Sequence, residues 1–109
     1  MKEIKAYINR HKLDEVTRAL RKVEGLTGMS VSEGYGYGIG WARDKTPEQI
    51  DFQPGLKLEI ICRDELVNQV VEAIARAART GLKGDGKIYV ASIEQAVRIS
   101  TGEQGEGAV

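Results

Sequence analysis

Apolar and polar residues alternate at the start of the chain. Ile4, Ala6 and Ile8 are separated by Lys5, Tyr7 and Asn9, the period-2 pattern of a strand with one buried face. From Leu13 the period changes: Leu13, Val16, Leu20 and Val23 fall three and four residues apart, predicting an amphipathic helix of about three turns that Gly25 and Gly28 terminate. Met29 and Val31 then alternate with Ser30 and Ser32 in a second strand. The order repeats in the second half. Leu56, Leu58, Ile60 and Cys62 alternate with Lys57, Glu59 and Arg63, and Asp64 is the predicted N-cap of a helix striped by Val67, Val70, Val71, Ile74 and Ala78. After a glycine-rich turn, residues 88–91 (IYVA) predict a fourth strand, and Val97, Arg98 and Ile99 a brief edge strand.

Two βαβ halves in tandem predict an α+β fold, the ferredoxin-like βαββαβ sandwich. It has a four-stranded antiparallel sheet with two helices on one face, in a single domain over residues 1–109. The other face of such a sheet needs a cover, and a neighbouring subunit is the usual one. A central loop at about residues 38–50 separates the halves. It is longer than a tight hairpin needs, so it is expected to project as a functional loop. The tail, residues 101–109, is polar and glycine-rich and is expected to be partly mobile.

Composition narrows the function. With 41% apolar residues the chain supports one thin core, which oligomerisation would enlarge. Sixteen basic residues balance sixteen acidic ones, against a general nucleic-acid binder, which needs surplus positive charge. No apolar run approaches the roughly 20 residues of a membrane span, and residues 1–10 have no signal-peptide core. A single cysteine, Cys62, allows neither an internal disulfide nor a multi-cysteine metal site, so the expected compartment is the cytoplasm.

Residues 80–87 (TGLKGDGK) carry the most chemistry. Three glycines in six residues let the backbone approach an anion and turn several N–H groups toward it, and Lys87 can reach a phosphate as a point charge. The spacing approximates a P-loop, but Ile88 stands where the magnesium-binding Ser or Thr belongs, and the loop runs from helix to strand. A P-loop NTPase is therefore rejected. On spacing alone, a phosphate cradle and an ordinary tight connection both remain open.

Residues 73–103 (AIARAARTGLKGDGKIYVASIEQAVRISTGE) resemble the second half of a P-II nitrogen-regulatory signal protein, through the TGxxGDGKI loop and the AVRI-TGE segment. KLDEVTRAL at 12–20, GMSVSE at 28–33 and DF-P at 51–54 extend the resemblance over nearly the whole chain outside the central loop. It implies a cytoplasmic homotrimer with adenine-nucleotide sites (ADP, AMP or ATP) in the clefts between subunits, and no catalytic cofactor. Phosphate binding carries over to Gly84, Gly86 and Lys87, and the first arginine of the family's R-I-R pair to Arg98. Base and ribose contacts carry over to Ile8, Gly36, Gly38, Thr27 and Ile61.

Three departures from the family pattern refine this. The family's GFGRQ is Gly36-Tyr37-Gly38-Ile39-Gly40 here, so the arginine and the glutamine that holds magnesium and 2-oxoglutarate are both absent. The lysine after DFLP, which pairs with the 2-oxoglutarate carboxylate, is Gly55. Sensing of 2-oxoglutarate in the usual manner is not expected. The second R-I-R arginine is Ser100. On a strand, positions 98 and 100 share a face, so a charge-assisted phosphate contact of about 1.5–3 kcal/mol is lost. ADP or AMP is accordingly expected to compete well with ATP. The central loop is also shorter than the family's and holds no tyrosine between Ile39 and Ile50, so the uridylylation site is absent. Such P-II-like branches are associated with transport. The expected partner is a membrane transporter or metabolic enzyme, met by Ile39, Trp41 and Arg43.

Other residues read more plainly. His11, the only histidine, is expected in a solvated turn, Cys62 in the core, and Asp85 as a carboxylate that fixes its turn. No metal site is expected. Trp41 either folds back on its sheet or anchors a partner. Two other functions compete with the sensor. A slow nucleotide hydrolase lacks an assembled nucleophile, base and metal. The related CutA-type metal-tolerance or structural trimers lack the TGxxGDGK loop.

Overall fold

The computed structural model describes residues 1–37 and 52–109. Strand β1 (Lys2–Ile8) buries Ile4, Ala6 and Ile8, and β3 (Gln53–Cys62) buries Leu56, Leu58, Ile60 and Cys62, as the alternation requires. Strands β2 (Ser30–Gly36) and β4 (Lys87–Ser92) flank them in the order β2-β3-β1-β4, with every pair antiparallel. Helices α1 (Leu13–Arg21) and α2 (Val67–Ala78) cover one face and pack on each other. Val16, Leu20, Val70, Ile74 and Ala78 close the core against the sheet. This is the ferredoxin-like plan.

Both halves enter their helix by the same device, a 3-10 turn. Arg10–Lys12 precedes α1 and Asp64–Leu66 precedes α2. The Lys12 N–H donates to the Asn9 carbonyl and the Leu66 N–H to the Arg63 carbonyl, each at 3.0 Å. Asp64 is therefore not the N-cap expected of it. It lies inside the turn, and its carboxylate accepts from the Met1 ammonium at 2.8 Å, which holds its pKa below the ordinary carboxylate value. A 3-10 turn satisfies a helix's first N–H group with a backbone carbonyl, so no side-chain cap is needed.

The C-terminal region differs from expectation twice. Residues 97–99 form no strand. Val97 makes one bridge to Gln104, and the chain turns at once, with the Gly102 N–H donating to the Arg98 carbonyl and the Arg98 N–H to the Glu103 carbonyl, both at 2.8 Å. Ile99 is 99% exposed, so the apparent alternation has no buried face within the chain. The tail is folded rather than loose: the Gly105 N–H donates to the Ala96 carbonyl at 3.0 Å, and Gly105–Ala108 forms a 3-10 turn near Met1.

Register defines the sheet's second face. Lys57, Tyr7 and Lys87 form one row across it, and Glu59, Lys5 and Tyr89 the next. Tyr7 and Tyr89, 44% and 53% exposed, meet edge to face with ring centroids 6.2 Å apart. Lys57 pairs with Glu59 at 3.0 Å, and that bond raises the lysine pKa.

Candidate functional site

The glycine loop joins the C-terminus of α2 to the first residue of β4. Its shape is set by one carboxylate. Asp85 Oδ2 accepts the Thr80 N–H at 2.8 Å and the Gly81 N–H at 2.9 Å, while the Thr80 hydroxyl donates to Oδ1. These bonds, the Thr80 hydroxyl foremost, hold the Asp85 carboxyl below the ordinary carboxylate range. The reading of Asp85 as the residue that fixes its turn agrees with this geometry. Thr80, its partner, was not singled out from the sequence, although a Thr five residues before an Asp across a glycine turn carries that signal.

The three glycines differ in what they do. Gly81, Gly84 and Gly86 all have left-handed φ, at 83°, 84° and 102°. A Cβ on Gly81 would meet open space, whereas one on Gly86 would lie 1.7 Å from the Tyr7 carbonyl oxygen. Gly86 thus lets the loop settle directly onto the end of β1. Lys87 follows, in register with Tyr7 and exposed. A cleft of about 270 Å³ opens beside them, lined by Tyr7, Ile8, Ala78, Arg79, Gly86 and Lys87 among others. Of these, Tyr7, Ala78 and Arg79 were not predicted. Arg79 precedes the loop and adds a second cation to the mouth.

The predicted site residues fall at two ends of the sheet. Ile8 ends β1, Lys87 begins β4, and Gly36 ends β2 opposite Gln53, so these three share one end with the glycine loop. Ile61 pairs with Glu3 near the opposite end. There too lie Thr27, ahead of β2, and Arg98, beyond the end of β4. Thr27 lines a second depression of about 310 Å³ with Gly25, Arg63, Glu65, Leu66 and Val109. Arg98 sits in the turn rather than on a strand, with its guanidinium 3.7 Å from the Glu103 carboxylate. Positions 98 and 100 therefore do not share a strand face. The length of β1 separates the two groups by about 20 Å, so one chain does not bring them together. Gly38, Ile39, Trp41 and Arg43 lie outside the described residues.

Among the described residues, no group of three His, Cys, Asp or Glu side chains is placed to hold a metal ion, and no helix is long and apolar enough to cross a membrane. His11 is in the 3-10 turn before α1 and exposed. Cys62 is in the core, where burial pushes the thiol pKa up.

Comparison with known proteins gives a consistent result. The family model described as Nitrogen regulatory protein P-II matches residues 1–103. The chain is 46% identical to the nitrogen regulatory protein P-II of Bradyrhizobium diazoefficiens, 47% to that of Rhodobacter capsulatus and 42% to that of Haemophilus influenzae. In each case all of both chains is covered.

Proposed function

Because the chain belongs to the nitrogen regulatory protein P-II family, we propose that it is a non-catalytic, adenine-nucleotide-binding signal-transduction regulator of the cytoplasm. Its sites form between copies in a homotrimer. The observation that carries this reading is the glycine loop. It is tied by Asp85, seated on β1 through Gly86, and followed by Lys87 at the mouth of a cleft. Backbone N–H groups and a flanking cation are what a phosphate requires. The separation of the predicted contacts favours assembly: Gly84, Gly86, Lys87, Ile8 and Gly36 from one copy would meet Thr27, Ile61 and Arg98 from another. The exposed tyrosines of the second sheet face give the copies apolar surface to bury.

ADP, AMP and ATP are the ligands of this reading. By the family resemblance rather than by a shared strand face, Ser100 stands where the second arginine would meet the γ-phosphate, so ADP and AMP compete with ATP. With Gly55 where the family has its lysine, and Gly40 where it has its glutamine, 2-oxoglutarate gives no magnesium-dependent gain in ATP affinity. Gly36 stands at the base of the central loop and at the same end of the sheet as the glycine loop. Nucleotide occupancy at this end would control contact with a membrane transporter or metabolic enzyme, met through Ile39, Trp41 and Arg43.

Calorimetric titration of ATP, ADP and AMP, with and without magnesium and 2-oxoglutarate, tests the reading. ADP binding should weaken about tenfold or more in Lys87→Ala. Equal affinity in the wild-type chain and the variant removes Lys87 from the site, and synergy between ATP and 2-oxoglutarate overturns the specificity assigned.

A further inference from the structure

The amides of the glycine loop are not equivalent. Those of Thr80 and Gly81 are consumed by Asp85 Oδ2, and that of Leu82 donates to the Thr80 hydroxyl oxygen at 3.1 Å. The same hydroxyl spends its one proton on Asp85 Oδ1 and keeps its lone pairs for Leu82. Two side chains thus close a small network over three consecutive N–H groups. Among the described residues, no hydrogen bond is found from the N–H groups of Lys83, Gly84 or Gly86. Gly84 and Gly86 are at left-handed φ, the backbone freedom that lets a glycine loop come close to an anion.

We infer that Asp85, acting through Thr80, is the positioning residue of this loop: the pair ties up the amides of residues 80–82 and so presents those of Lys83, Gly84 and Gly86 to a phosphate group. The inference rests on the nucleotide reading above and deepens it. Both carboxylate oxygens already have donors, which fixes the orientation of the carboxylate within the loop. Its charge is also engaged by three donors, which lessens its repulsion of an approaching phosphate. Asn is a mild substitute. With its oxygen toward the amides of 80 and 81 and its N–H donors toward the Thr80 hydroxyl, which can accept, it would lose only the charge, so the variant that removes the clasp is Asp85→Ala. Ser in place of Thr80 keeps the hydroxyl, while Val keeps the shape and removes it.

The test uses the full chain and four forms of it: wild type, Asp85→Ala, Thr80→Val and Thr80→Ser. Each is titrated with ADP, and amide hydrogen exchange is followed across residues 80–86. Asp85→Ala and Thr80→Val should bind ADP about tenfold more weakly and exchange faster at residues 80–82. Thr80→Ser should stay within about threefold of wild type and keep its protection. Rescue by Ser separates positioning from simple packing, and the Val and Ser pair carries the test if Asp85→Ala does not fold. Faster exchange with unchanged ADP affinity overturns the inference, as does a Thr80→Ser chain as weak as Thr80→Val. Unchanged exchange in every variant overturns the clasp itself. A wild-type chain that binds no ADP while the exchange pattern appears as described means that the nucleotide reading has failed, and the phosphate role of the clasp with it.

Discussion

Gly81 and Gly86 look alike in the sequence, and both have left-handed φ, yet substituting them should have very different results. Gly81→Ala meets only the backbone cost of that conformation, about 1–2 kcal/mol, because nothing lies near the new methyl. Gly86→Ala adds a collision with the Tyr7 carbonyl, so the loop must leave β1. The expected loss is on the order of 4 kcal/mol or more. Denaturant unfolding of the two variants side by side checks this. The difference was not legible in the sequence, since the obstructing atom belongs to a strand at the other end of the chain. Asp85 was legible as the residue that fixes its turn, and it gives a pH prediction. Its folded pKa lies below the ordinary value, so its contribution is full above the unfolded carboxylate pKa and is lost as pH falls through the folded one. Amide protection at residues 80 and 81 should therefore fall in mild-to-strong acid in the wild type, and that response should be absent in Asp85→Asn.

Elements with a buried face were read correctly because burial imposes a period. The stripe Val70, Ile74, Ala78 and the alternation in β1 and β3 come directly from it. The segment at 97–99 reads as a strand for the same reason in reverse: two apolar residues two apart suggest one, but neither is buried within the chain, and the backbone bonds close a turn. The expected N-cap at Asp64 failed because a 3-10 turn does the capping, which side-chain chemistry does not announce. At this scale the prediction is a contrast on one helix. Ile74→Ala, at a fully buried position, should cost about 2–5 kcal/mol. Arg76→Ala removes an exposed ion pair with Glu72 and should cost at most about 0.5 kcal/mol. Urea unfolding of both variants measures it, and similar losses would mean that α2 is not packed as described.

The whole molecule poses the question of assembly. Sequence resemblance gathered Lys87 and Arg98 into one site, whereas the topology sets them near opposite ends of the sheet, on either side of a strand about 20 Å long. Spacing along the chain carries no record of which copy supplies which half, so this was not legible until the strands were paired. If the site is shared, a defect in one half can be complemented by a copy defective in the other. The most direct measurement is ADP titration of Lys87→Ala, of Arg98→Ala, and of the two variants co-expressed and purified as mixed oligomers. Each variant alone should bind about tenfold more weakly than wild type. The mixed oligomers should regain wild-type affinity at about a quarter of their sites, the fraction in which an intact Lys87 faces an intact Arg98 from a neighbour. Mixed oligomers that bind no better than the separate variants would contradict a site built from two copies.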